Sequence, residues 1–164
     1  MLVSLLLLPL TLVAARSIRP AAGCGKCLDV VGVDGNAGAA RISSGVTLND
    51  CNGSSAQNWE VQRGVTLIRL AGTQYCVDVG THRRGPTPGW NPANGEIAKL
   101  YPCTDIATSS AGQVFEWNGA KLHIKEKAKG DFCLDVKDGN TSPGNQIQMW
   151  TCFPRNTNQQ WSIV

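Results

Sequence analysis

Hydrophobic and polar positions alternate with a period of two over short stretches of this 164-residue chain. The 3.6-residue period of a helix is nearly absent. The clearest alternating runs are Val65-Thr66-Leu67-Ile68-Arg69-Leu70, Lys121-Leu122-His123-Ile124-Lys125, Ile147-Gln148-Met149-Trp150 and Trp161-Ser162-Ile163-Val164. Gly, Asn, Asp and Pro separate them, and these residues supply turns through positive or fixed φ. The pattern predicts an all-β protein. The exception is Met1 to Ala15, an apolar run with Leu5 to Leu8 at its centre and the small residues Ala14 and Ala15 at its end. That is the layout of a secretory signal peptide, although its first residues carry no Lys or Arg. It falls short of the roughly 20 apolar residues that span a membrane, and no other segment approaches that length.

From residue 16 to residue 164 the chain reads as one domain written in three copies, about 16–62, 63–117 and 118–164. Each copy holds a Cys-x-Asp-Val run, a second Cys and a Gln-x-aromatic triplet. The first has Cys27 to Val30, Cys51 and Gln57-Asn58-Trp59. The second has Cys76 to Val79, Cys103 and Gln113-Val114-Phe115, and the third has Cys133 to Val136, Cys152 and Gln159-Gln160-Trp161. A repeat of this kind marks units that cannot close a core alone. Four strands are expected per copy: one before the first Cys (near Ile18, Leu67–Leu70 and Leu122–Ile124), one carrying Cys-x-Asp-Val, one leading into the second Cys, and one holding the triplet. Twelve short strands suit a pseudo-threefold closed barrel with hairpin caps, since closure removes open edges. Trp59, Phe115 and Trp161 are then core residues.

Charge and cysteines narrow the picture. The formal net charge is +3, with Lys and Arg spread along the chain. The densest basic stretch, Lys121 to Lys129, is interrupted by Leu122, Ile124 and Glu126, so it reads as a solvated strand and loop rather than a nucleic-acid site. Seven cysteines behind a signal peptide imply an oxidising, extracellular setting. The simplest pairing follows the copies, Cys27–Cys51, Cys76–Cys103 and Cys133–Cys152, although six cysteines allow 15 connectivities. Cys24 is left over, as a free thiol, an intermolecular bridge or a competitor for Cys27. Its CxxC spacing with Cys27 lacks a second CxxC or a nearby His, so no redox or metal site is expected. Asn52 and Asn140 open sequons that a secreted protein can glycosylate, the second followed by Pro143.

With these residues in view, the chain resembles the ricin-type β-trefoil lectins, including stand-alone fungal members, across essentially its whole length from about Ile18. The resemblance implies a β-trefoil whose copies each offer a shallow galactose-type pocket. Such a pocket takes an Asp from the first motif, an aromatic two residues before the second Cys, a Gln two residues before that, and an Asn just ahead of the triplet. The chemistry suits a sugar. An aromatic plane covers the C–H face of the ring, while Asp, Asn and Gln hydrogen-bond its hydroxyl rim. Copy three matches throughout, with Asp135, Gln148, Trp150, Asn158 and Gln159, the last expected to orient Asp135 as much as to touch sugar. Copy two is a second candidate, with Asp78, Lys99, Tyr101 and Gln113, but Lys99 replaces the Gln and Gly112 the Asn. Copy one keeps Asp29 and Gln57 and has Asn49 and Ala56 where the aromatic and the Asn belong, so it reads as scaffold.

No catalytic constellation appears. His82 and His123 are the only histidines and neither sits in a metal-binding or nucleophile-activating motif; no phosphate-cradling Gly-rich loop is present. Neither cofactor nor metal is expected, and the expected partners are glycans or glycoproteins bound by a monomer or weak dimer. Two alternatives stay open: a protease inhibitor acting through loops, chiefly Thr81 to Asn94 with Trp90, and a polysaccharide-targeting module working in trans.

Overall fold

The computed structural model describes residues 14–23, 25–33, 35–80, 93–106, 112–124 and 130–164. Most of the expected leader, Cys24, and residues 81–92 of the copy-two insertion, Trp90 among them, lie outside these residues. The architecture is all-β, built from short strands and one-turn 3-10 segments.

Three antiparallel hairpins form the cap: Lys26–Val30 with Val46–Asp50, Tyr75–Asp78 with Lys99–Pro102, and Phe132–Val136 with Asn145–Thr151. Their registers are equivalent, setting Asp29 opposite Thr47, Asp78 opposite Lys99 and Asp135 opposite Gln148. Strand alternation then sorts the side chains. Leu28, Val30, Val46 and Leu48 point to the core, as do Val77, Val79, Ala98 and Leu100, and Leu134, Val136, Ile147 and Met149. The Cys and Asp of each first motif point the other way. The three hairpins also pair with one another in a ring. Asn145 opposes Leu48, Gln148 opposes Ile97, and Gly45 bridges to Lys99.

Beneath the cap, the strand starting at each triplet aromatic pairs with the first strand of the next copy. Trp59 opposes Leu70 and Phe115 opposes Ile124. Trp161–Ile163 returns to Ile18–Pro20, so the third copy closes on the first. Trp59, Phe115 and Trp161 are buried, together with the first-strand residues Ile18, Ile68 and Leu122. The two indoles are also tied from inside, as Trp59 Nε1 donates to Leu28 O at 3.0 Å and Trp161 Nε1 to Leu134 O at 2.9 Å. This pseudo-threefold arrangement is a β-trefoil.

Among the described residues the strands do not follow the expected four per copy, because expected strands are split. The run Val65 to Leu70 forms two strands, Gly64–Thr66 and Arg69–Leu70. The first pairs with Phe115–Trp117 and the second with Trp59–Glu60, so the chain turns a corner at Leu67 and Ile68 to serve two partners. Three disulfides join Cys27 to Cys51, Cys76 to Cys103 and Cys133 to Cys152, with Cα separations of 5.0, 5.0 and 5.1 Å. Each staples the base of one cap hairpin.

Candidate functional site

Outside the core, the third hairpin presents Cys133, Asp135, Gln148 and Trp150 on one face, as its register requires. A cleft of about 170 Å³ opens there, lined by Asp135, Asp138, Gln148, Trp150, Phe153, Asn156 and Asn158. Asp135 lies at its floor with 4% of its surface exposed. Gln148 Nε2 donates to Asp135 Oδ1 at 3.0 Å, and Gln159 also bonds to this carboxylate. Trp150, by contrast, is 36% exposed. Its ring belongs to the cleft wall and not to the core.

Two one-turn segments set the remaining wall. Lys137–Gly139 follows the Asp-Val of the first motif and carries Asp138 at φ 56°, in the left-handed region that Asp tolerates better than most residues. Gly139 then passes so close to Asn158 that a Cβ on it would meet Asn158 Nδ2 at 3.0 Å. Thr157–Gln159 is capped by Asn156, whose side chain accepts from Asn158 N–H at 3.1 Å. That cap fixes where Asn158 stands.

Gln159 is fully buried and does not line the cleft. Its Nε2 donates to Thr151 O at 2.9 Å, and its Oε1 accepts from Phe153 N–H at 2.9 Å and from Lys121 Nζ at 3.2 Å. The same latch recurs in copy one, where Gln57 Nε2 reaches Asp29 Oδ2 at 2.7 Å and Asp50 O at 2.8 Å. In copy two, Gln113 Nε2 reaches Pro102 O at 3.0 Å. The triplet Gln is therefore a structural clamp in all three copies. In copy three its bonds match the orienting half of the role expected for Gln159.

Electrostatically the cleft is acidic. Burial holds the Asp135 carboxyl above the ordinary aspartate range. Hydrogen bonds from Gln148 and Gln159 oppose that rise, Asp138 adds to it, and Lys121 opposes it again. Burial lowers the Lys121 ammonium in turn, with Asp131 and Asp135 opposing. Asp138, Asn156 and Phe153 were not singled out from the sequence. An Asp-Gly turn directly after the Cys-x-Asp-Val strand was the available signal for Asp138. Phe153 carried none beyond lying next to Cys152.

The other copies are built differently. In copy two, Asp78 has no exposed surface. Lys99, standing where Gln148 stands in copy three, approaches Asp78 Oδ1 at 3.4 Å and donates to Gly80 O, while Gly80 N–H donates to Asp78 Oδ1 at 2.7 Å. Gly112 occupies the place of Asn158, and a Cβ there would collide with Gly80 N at 2.6 Å. The backbone after the first motif has moved into the space an Asn would need. Tyr101 is half-buried opposite Cys76. In copy one, Thr47 stands at the Gln148 position with its buried hydroxyl lacking a hydrogen-bond partner among the described residues. Asn49, in the aromatic's place, offers no ring. Among the described residues no cluster of His, Cys, Asp or Glu is arranged to hold a metal, and no helix is long and apolar enough to cross a membrane.

Comparison with known proteins gives the same class. Residues 86–164 match the family model for the ricin-type beta-trefoil lectin domain. The earthworm R-type lectin C-half, solved in complex with GalNAc, is similar in structure at 17% identity and a TM-score of 0.65, covering 92% of this chain and 97% of that one. The Macrolepiota procera ricin B-like lectin, solved with lactose, is similar at 16% identity and a TM-score of 0.59, over 95% and 98% of the two chains. A designed 3-fold symmetric protein, ThreeFoil, reaches 20% identity and 0.65, over 92% and 97%. By fold, then, the molecule is a β-trefoil. The match to the ricin-type beta-trefoil lectin domain model lies in its second half, and the chain resembles that family.

Proposed function

We propose that this protein is a secreted, non-catalytic lectin that binds galactose-type sugars through the copy-three cleft. One observation carries the reading: an exposed indole, Trp150, stands beside a buried, hydrogen-bonded carboxylate, Asp135, with the amides of Gln148 and Asn158 on the same cleft. The indole takes the apolar face of the ring, the carboxylate accepts from a pair of hydroxyls, and the amides bridge donor and acceptor needs. Asp138 makes a second carboxylate on the wall, which disfavours an acidic sugar. Galactose-type preference draws on the GalNAc and lactose found with the two lectins of similar structure. Secretion draws on the leader pattern of the sequence and on three disulfides.

Copies one and two enter this proposal as scaffold. Lys99 holds Asp78 and Gly80, and the Gly112 region leaves no room for an amide. A galactose or lactose column tests the reading. The protein is expected to be retained and to elute with free sugar, and Trp150→Ala is expected to pass through. Retention unchanged in Trp150→Ala would place binding elsewhere.

A further inference from the structure

Trp150 is held by more than its own copy. The hairpin strand Asn145–Thr151 is approached by residues 93–97, which lie at the end of the copy-two insertion, and Glu96–Ile97 pairs with it. Asn94 Oδ1 accepts from Thr151 N–H at 2.7 Å and from Thr151 Oγ1 at 3.0 Å. Gly95 N–H donates to Met149 O at 2.9 Å. The residues before and after Trp150 are thus both fastened to the Asn94-Gly95 pair. Gly95 itself adopts φ +88°, and a Cβ added to it would lie 3.9 Å from Trp150 Cζ3, in ordinary contact with the six-membered ring.

We propose that the copy-three site is a joint product of two repeats, in which Asn94 of copy two is a positioning residue that fixes the plane of Trp150. The argument is mechanical. An aromatic wall binds a sugar through close, planar contact, so a ring free to swing loses part of that contact to conformational entropy. Copy three holds the other edge of this strand, with Phe132 opposite Thr151 and Leu134 opposite Met149, and the Asn94-Gly95 pair closes the hold from the second edge. One side-chain oxygen taking two donors at Thr151 stops the strand from rotating at that point. This rests on the lectin reading for its effect on affinity, but not for its effect on the ring.

Two readouts test it in the full-length protein. The first is acrylamide quenching of Trp150, isolated as the difference between each protein and its Trp150→Phe counterpart. The second is affinity for methyl galactoside by titration calorimetry. Asn94→Ala is expected to raise quenching of Trp150 and to weaken sugar binding by roughly three- to tenfold, the loss that follows from one net hydrogen bond. Asn94→Asp, which keeps the acceptor oxygen, is expected to retain both properties. Quenching in Asn94→Ala equal to that of the wild type overturns the proposal, as does an Asn94→Asp protein that behaves like Asn94→Ala. If no variant or wild type binds any sugar, the lectin reading fails, and quenching still decides the role of Asn94.

Discussion

Asp135 shows how far a single residue's chemistry can be followed from spacing to environment. Gln148 was readable through the resemblance to the lectin family, and the hairpin register then sets it opposite Asp135. What spacing does not show is the environment. Burial at the cleft floor raises the carboxyl, and the neighbouring Asp138 comes from a left-handed turn that no alternation predicts. The folded state therefore binds this proton more tightly than the unfolded chain does. The stability this group contributes is fully present below its unfolded value and is lost as pH rises through the folded one. Melting temperatures of Asp135→Asn measured against the wild type are thus expected to improve as pH rises above the ordinary aspartate value of about 4. Sugar affinity moves the other way. The variant is expected to bind at least about tenfold more weakly, because a hydrogen bond to a charged acceptor is worth about 1.5–3 kcal/mol. Wild-type affinity is expected to fall as acid protonates Asp135, at a higher pH than for an ordinary aspartate. Calorimetric titrations across that range check both.

At the scale of elements, the same sequence phrase builds the same part three times, and its substitutions report what each atom does. The triplet aromatic was legible as core from its apolar character alone. Its indole hydrogen bond was not, because the acceptor is a backbone carbonyl about thirty residues away that only the fold brings near. Copy two has Phe115 at this position and remains fully packed. Trp161→Phe should therefore fold with the same topology, at a cost of about 1–3 kcal/mol for the unsatisfied Leu134 carbonyl and the lost ring volume. Chemical denaturation measures it, and a molten or unfolded variant would contradict this view of the barrel floor. Strand boundaries were the least legible feature. The run Val65 to Leu70 reads as one strand, yet its alternation slips at the adjacent apolar pair Leu67-Ile68, and the chain breaks there because its two ends pair with different strands.

At the scale of the whole molecule, the tripled pattern made both the closed barrel and the three disulfides readable, since equivalent units joined in a ring need equivalent staples. It also left the number of sites open, with one complete set in copy three and a partial second set in copy two. The core positions are kept in every copy, whereas in the proposed reading the sugar-binding residues are complete in the third. Calorimetry is expected to give about one galactoside per chain, a stoichiometry at which a monomer binds cells without cross-linking them. Values near two would restore the copy-two site. The join between the third copy and the first has a separate meaning. Ser17 N–H donates to Val164 O at 2.8 Å and Val164 N–H to Ser17 O at 3.0 Å, so two residues far apart in the chain exchange both backbone bonds. The order of the copies along the gene is therefore not a requirement of the barrel. A short linker across that join, with new ends opened in the exposed turn at Asn118 to Ala120, would give a circular permutant with the same neighbours throughout.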